Sequence, residues 1–126
     1  MSKANLNLGR IGEVEAASFL KRNGYNVIGR NYKSKFGEID IIAYDQDTLC
    51  FVEVKTRNTF RFGLPQEAVS ISKQQQISKA ALAYLKEHKL LDRRARFDVI
   101  SVNYQGDYPS LSLLKDAFNL SPDFSY

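Results

Sequence analysis

The chain has 126 residues, of which 44% are hydrophobic, and 18 Lys and Arg against 14 Asp and Glu give it a net charge of +4, a balance suited to one compact domain over 1–126. A single cysteine, Cys50, and a single histidine, His88, exclude an internal disulfide, a cysteine-based zinc site and a His-rich metal site, so carboxylates must supply most of the ligands of any metal, and Mg²⁺ or Mn²⁺ is expected. Charges interrupt every apolar run short of membrane-spanning length, and the first twenty residues lack a secretory pattern, so a cytoplasmic protein with no membrane partner is expected.

Residues 9–23, GRIGEVEAASFLKRN, carry apolar positions at helical spacing and stop at Gly24, a natural helix terminus. YNVIGRNYK then has strand character, followed by EIDIIAY and TLCFVEVKT, which are rich in β-branched and aromatic residues and separated by the turn formers DQD. Ser72 with Gln75 three residues on has the form of a capping box, and Ile77, Ala81, Tyr84, Leu85 and His88 share one face of a second helix running to about residue 89. DRRAR reads as a solubilising turn into FDVISV, a strand apolar enough to be buried on both faces. YQGDYPS is a turn, LSLLKDAF a last strand, and residues 119–126 a loose tail. The order helix, three strands, helix, strand, strand predicts an α/β fold with a mixed central sheet flanked by helices.

The central hairpin carries the chemistry. With its loop at Asp45 to Thr48, Tyr44 faces Leu49, and the same register sets Asp40 opposite Glu53 and Glu38 opposite Lys55. Alternation then projects these four from one side, with Ile39, Ile41, Val52 and Val54 on the other. Directly opposed carboxylates repel, since their Cβ atoms lie roughly 4.5 to 5.5 Å apart, and a divalent cation between them is the simplest remedy. Two carboxylates with an adjacent lysine suit phosphodiester hydrolysis: the metal acidifies water and neutralises phosphoryl charge, while Lys55 orients or deprotonates water. Glu-x-Lys alone is most simply a solvated strand face; the acid in register on the partner strand is what favours a site. Glu13 lies at the edge of the apolar face of the first helix, either as a further ligand or as an acid favoured by the helix N-terminus.

At these residues the sequence resembles the YraN-like uncharacterised protein family of the PD-(D/E)xK, restriction-endonuclease-like superfamily, which is similar to archaeal Holliday-junction resolvases. The matching pieces are LGRIGEVEAASFL, GYNVIGRNY, GEIDIIA, FVEVKTR, PQEAVSISKQQQISKAALAYL, RFDVISV and DAF. The resemblance implies an α-β-β-β-α-β core, with Asp40, Glu53 and Lys55 catalytic, Asp40, Glu53 and Glu13 as metal ligands, and Glu38, Thr56 and Arg57 beside them. Ile39 stands where the superfamily has proline, and Gln76 is followed four residues on by Ala80 rather than by the tyrosine of exonuclease relatives. Resolvase relatives act as dimers, which makes a homodimer one arrangement to test; no segment here marks a dimer face.

If the acids and Lys55 are drawn into a cleft, the remaining surface is more basic than the net charge suggests. Arg30, Lys33 and Lys35 precede the hairpin and Arg57 and Arg61 follow it, where phosphate contacts would be useful; Arg93, Arg94 and Arg96 form a third cluster. RNTFRFG interleaves arginine with Phe60 and Phe62, which suits a distorted or single-stranded substrate or pins a loop to the core. Lys73 on the second helix either reaches phosphate or is simply solvated. The expectation is a metal-dependent nuclease acting on DNA, in preference to RNA, with branched or structured DNA as substrate. Its alternatives are a nucleic-acid-binding protein of the same fold that cleaves weakly or only with a partner, and an interaction module without nucleic acid.

Overall fold

The computed structural model describes residues 3–57, 69–105 and 108–120. Helix α1 (Lys3–Arg22) leads into strands β1 (Asn26–Ser34), β2 (Gly37–Asp45) and β3 (Thr48–Arg57); helix α2 (Ile71–Glu87) then precedes β4 (Ala95–Gln105) and β5 (Tyr108–Phe118). The strands form one sheet in chain order, antiparallel except for the parallel β3/β4 pairing, whose crossover carries α2. This is the expected α-β-β-β-α-β succession followed by the expected last strand.

Each helix covers one face. Ala16, Ala17 and Leu20 of α1 are buried against Ile41, Ala43, Cys50, Val52, Ile100 and Val102. Ile77, Ala80, Ala81 and Leu85 of α2 are buried against Ile39, Ile42, Leu49, Phe51, Phe97 and Val99. Alternate residues of β3 thus feed opposite cores, the two-residue period of a strand buried on both sides. No helix among the described residues is long and apolar enough to cross a membrane.

Several boundaries differ from the sequence reading. Helix α1 begins at Lys3, well before residue 9. The cap of α2 is Ser70, not Ser72: the Ser70 hydroxyl accepts the Lys73 N–H at 3.1 Å, satisfying one of the four free amides of the first turn. β4 and β5 extend into the segment read as a turn. Leu120, assigned to a loose tail, packs against the core under α2, and residues 121–126 lie outside the described residues.

Arg96 corrects the reading of DRRAR as a solubilising turn. Its guanidinium bonds Asp45 at 2.6 Å, Asp98 at 3.0 Å and the Tyr25 hydroxyl at 2.9 Å. Asp98 is fully buried and also accepts the Asp116 N–H at 2.9 Å. A buried carboxylate requires such partners, and this network ties β2, β4 and β5 together where the sequence suggested only solvent exposure.

Candidate active site

The predicted register is present from Asp45↔Thr48 through Tyr44↔Leu49 to Ile41↔Val52, and there the β2/β3 ladder ends. Asp40 and Glu53 do not form the next strand pair. Instead the Asp40 carboxylate enters the opening and accepts the Val54 N–H at 2.8 Å. On the other flank the β1/β2 pairs step from Arg30↔Ile41 to Tyr32↔Ile39, passing over Asn31 and Asp40. Asn31 has a φ of 54°, a left-handed conformation that Asn tolerates better than most residues.

This irregularity overturns the expected division of faces. Ile39 packs under α2 with Ile42, while Ile41, Val52 and Val54 pack under α1. Alternation is interrupted at Asp40, so Glu38, Asp40, Glu53 and Lys55 do not project as one row. They form two groups that share Asp40.

The first group joins Asp40 to Glu38 and to Glu13 of α1, with one carboxylate oxygen from each lying within 4.8 Å of the others. The Asn31 amide, oriented to donate, reaches Glu38 Oε1 at 3.0 Å and Glu13 Oε1 at 2.8 Å. Burial, then the charges of Asp40 and Glu38, raise the Glu13 carboxyl above its ordinary range, opposed by Arg30 and the Asn31 amide. A groove of about 600 Å³ opens on this group, lined by Arg10, Arg30 and Lys33 beside Glu13 and Glu38.

The second group lies toward α2. Glu53 is 5% exposed, and its Oε2 is 3.8 Å from Lys55 Nζ and 3.7 Å from Lys73 Nζ. Burial pushes the Glu53 carboxyl up to about 8, aided by the charge of Asp40 and a hydrogen bond with it, against the pull of Lys73 and Lys55. Two carboxyls that share a site while two ammonium groups face one of them are arranged to hold a proton or a cation between them.

Glu13 reaches Asp40 because α1 lies almost on β3. A Cβ at Gly12 would run into Thr56 Oγ1, with Thr56 Cβ and Cγ2 each 3.2 Å away. Only glycine permits this approach, and the next residue is the helix-borne acid.

Of the candidate residues, Glu13, Asp40, Glu53 and Lys55 come together around the end of the β2/β3 ladder. Glu38, read as lying beside the site, is a full member of the metal-capable trio, whereas Glu53 lies outside that trio and meets Asp40 from the other side. Arg30 and Lys33 line the acidic groove, and Lys35 lies instead beside Phe36. Lys73 meets Glu53 rather than standing on a solvated face. Arg57 ends β3, and Arg61 lies outside the described residues. The sequence reading missed Arg10 and Asn31: Arg10 is three residues before Glu13, a spacing that signals a shared helix face, but nothing local marks Asn31 as left-handed. Cys50 is no nucleophile, since burial and Asp98 push its thiol up to about 12.

Residues 12–102 match the profile of the uncharacterised protein family UPF0102, the family that the sequence motifs resemble. The UPF0102 protein of Syntrophus aciditrophicus is 48% identical over 117 residues, covering 93% of this chain and 92% of that one. The UPF0102 protein of Geobacter metallireducens is 47% identical over 121 residues, covering 96% and 99%. Among solved structures, Pyrococcus furiosus SfsA in complex with Ca²⁺ is 13% identical with a TM-score of 0.39, covering 88% of this chain and 62% of that one. The chain thus spans less than two thirds of that structure.

Proposed function

We propose that this chain, which belongs to the uncharacterised protein family UPF0102, is a metal-dependent nuclease that hydrolyses phosphodiester bonds in DNA, with branched or structured DNA as its substrate. One observation carries the reading: the convergence of Glu13, Glu38 and Asp40, the first two of which line a groove with Arg10, Arg30 and Lys33.

The donor set fits a hard divalent ion. It is all oxygen, which suits Mg²⁺ or Mn²⁺, and the repulsion from Asp40 and Glu38 that adds to burial in raising the Glu13 carboxyl is relieved by positive charge. Glu13, Glu38 and Asp40 would hold the ion, with Glu53 close to Asp40. When bound, Mg²⁺ or Mn²⁺ supplies acidification of water and neutralisation of charge on phosphoryl oxygens.

The protein's own groups do the rest. Val54 N–H fixes the Asp40 carboxylate at 2.8 Å, so its orientation is set before substrate arrives. Glu53, itself in contact with Asp40, holds the Lys55 and Lys73 ammonium groups, where Lys55 can orient water and offset negative charge developing on the phosphoryl group. Arg10, Arg30 and Lys33 offer phosphate contacts along the groove.

The test is a cleavage assay with Mg²⁺ and Mn²⁺ on single-stranded, duplex, flap and four-way-junction DNA, with Lys55→Ala alongside. Metal-dependent cleavage by the wild type that disappears in the folded variant is the expected result. DNA binding without cleavage would overturn the catalytic reading and favour a binding protein that needs a partner. Absence of binding at low salt would remove nucleic acid altogether.

A further inference from the structure

A second groove, of about 420 Å³, lies between the β1–β2 turn and the outward face of α2. Among the described residues its lining combines Phe36, Leu82 and Ala83 with Lys35, Lys79 and Lys86, with no carboxylate. Glu87, next in sequence to Lys86, is bonded to the Tyr32 hydroxyl at 3.0 Å. Phe36 is 37% exposed at the turn, with Lys35 Nζ 5.2 Å and Lys79 Nζ 5.8 Å from its ring centre.

The turn that presents Phe36 is fixed. Ser34 Oγ donates to the Gly37 carbonyl at 2.9 Å and accepts the Phe36 N–H at 3.1 Å. Gly37 holds a φ of 142°, and a Cβ there would lie 3.7 Å from Gln76 Cβ of α2. An aromatic ring held outward among ammonium groups matches the two faces of a nucleotide: the ring offers a stacking surface to a base and the lysines face its phosphate. A paired base within a duplex keeps its π-face covered by its neighbours, so an unpaired strand is what the ring can take. An acidic peptide would also match the lysines. Continuity favours the polynucleotide, because β1 carries Arg30 and Lys33 at the acidic groove and Lys35 follows at this turn.

We propose that this groove seats an unpaired strand of the DNA substrate, with a base on Phe36 and phosphates on Lys35, Lys79 and Lys86. The inference rests on the nucleic-acid reading above and narrows its substrate to DNA with a single-stranded arm beside the position acted on.

The test is fluorescence anisotropy with the full chain in EDTA at low salt. The probes are a single-stranded oligonucleotide, the blunt duplex of the same sequence, and that duplex with a single-stranded flap. Wild type should bind flap and single strand more tightly than blunt duplex. Phe36→Ala should weaken both by about 5- to 150-fold, the range for one stacked base, while Phe36→Tyr, which keeps the ring, restores binding. The Lys79→Gln/Lys86→Gln pair, which leaves the ring in place, should also weaken both and reduce the salt dependence. Single-strand affinity unchanged in Phe36→Ala and in the lysine pair overturns the proposal, as does displacement of the strand by a poly-glutamate peptide at lower concentration than by DNA. Phe36-dependent binding without cleavage on adding Mn²⁺ would leave this groove established and the nuclease reading refuted; no DNA binding by the wild type would overturn both.

Discussion

Replacing Asp40 by Asn should stabilise the metal-free protein. The substituted amide keeps an oxygen for the Val54 N–H, which the carboxylate accepts at 2.8 Å, and it removes a charge that adds to burial in raising both Glu13 and Glu53. Two unit charges 4.8 Å apart, the outer separation of the Glu13, Glu38 and Asp40 oxygens, repel by about 3.5 kcal/mol at an effective dielectric of about 20. Part of that is already relieved by protonation and by solvent at these half-exposed groups, so a gain of about 1–2 kcal/mol is expected, or roughly 3–8 °C in Tm for a chain of this size. The gain depends on pH. The Glu53 carboxyl is raised from 4.5 to about 8 in the fold, so between those values the native state holds a proton that the unfolded chain has released. Stability of the metal-free wild type should therefore fall as pH rises from 4.5 to 8, and Asp40→Asn should flatten that fall. Thermal unfolding at pH 5 and pH 8, each with EDTA and with Mn²⁺, measures all of this. Saturating Mn²⁺ should reverse the order, since a ligand at 100 times its Kd stabilises by about 2.7 kcal/mol and the variant has lost one of its ligands. A loss of more than about 2 kcal/mol in EDTA at pH 8, or equal stabilisation of both proteins by Mn²⁺, would refute the shared-carboxylate geometry.

Gly12→Ala forces α1 away from Thr56 and carries Glu13 with it; about 1–3 kcal/mol of stability should be lost, and a Mn²⁺ titration should show weaker binding than the thermal loss alone explains. Lys73→Gln removes one of the two cations at Glu53; because Lys73 is about one third exposed, the loss should stay below about 1 kcal/mol, and urea denaturation should show it larger at pH 8 than at pH 5. Arg96→Ala strands the buried Asp98 carboxylate and should cost about 3–5 kcal/mol by the same measurement, with no direct effect on metal binding because Arg96 lies outside the acidic groups.

Among the described residues, both helices, all five strands and the hairpin register at Tyr44 and Leu49 were legible, because strand alternation and helical periodicity record which face meets the core. The acids were legible as a set for the same reason: Asp40 and Glu53 interrupt runs that are otherwise apolar. Their true grouping was not. It depends on the left-handed Asn31, on the end of the β2/β3 ladder at Ile41 and Val52, and on the tight approach of Gly12 to Thr56, none of which local pattern encodes. Arg96 was misread because its partners, Asp45 and Tyr25, are 51 and 71 residues away, and charge density near a turn cannot distinguish a solvated side chain from one anchored at long range.

The chain order of the sheet bears on how the protein folds. Glu13, Glu38, Asp40 and Glu53 all belong to α1 and the β1–β2–β3 meander, a contiguous stretch closed by hairpins, whereas the parallel β3/β4 pairing joins segments over 40 residues apart. Contacts near in sequence form first, so Glu38, Asp40 and Glu53, which the β2–β3 hairpin joins, should meet before α2 delivers Lys73 to Glu53 and before α1 delivers Glu13 to Asp40. Their repulsion then acts during the climb to the transition state, and neutralising Asp40 should quicken refolding more than it slows unfolding.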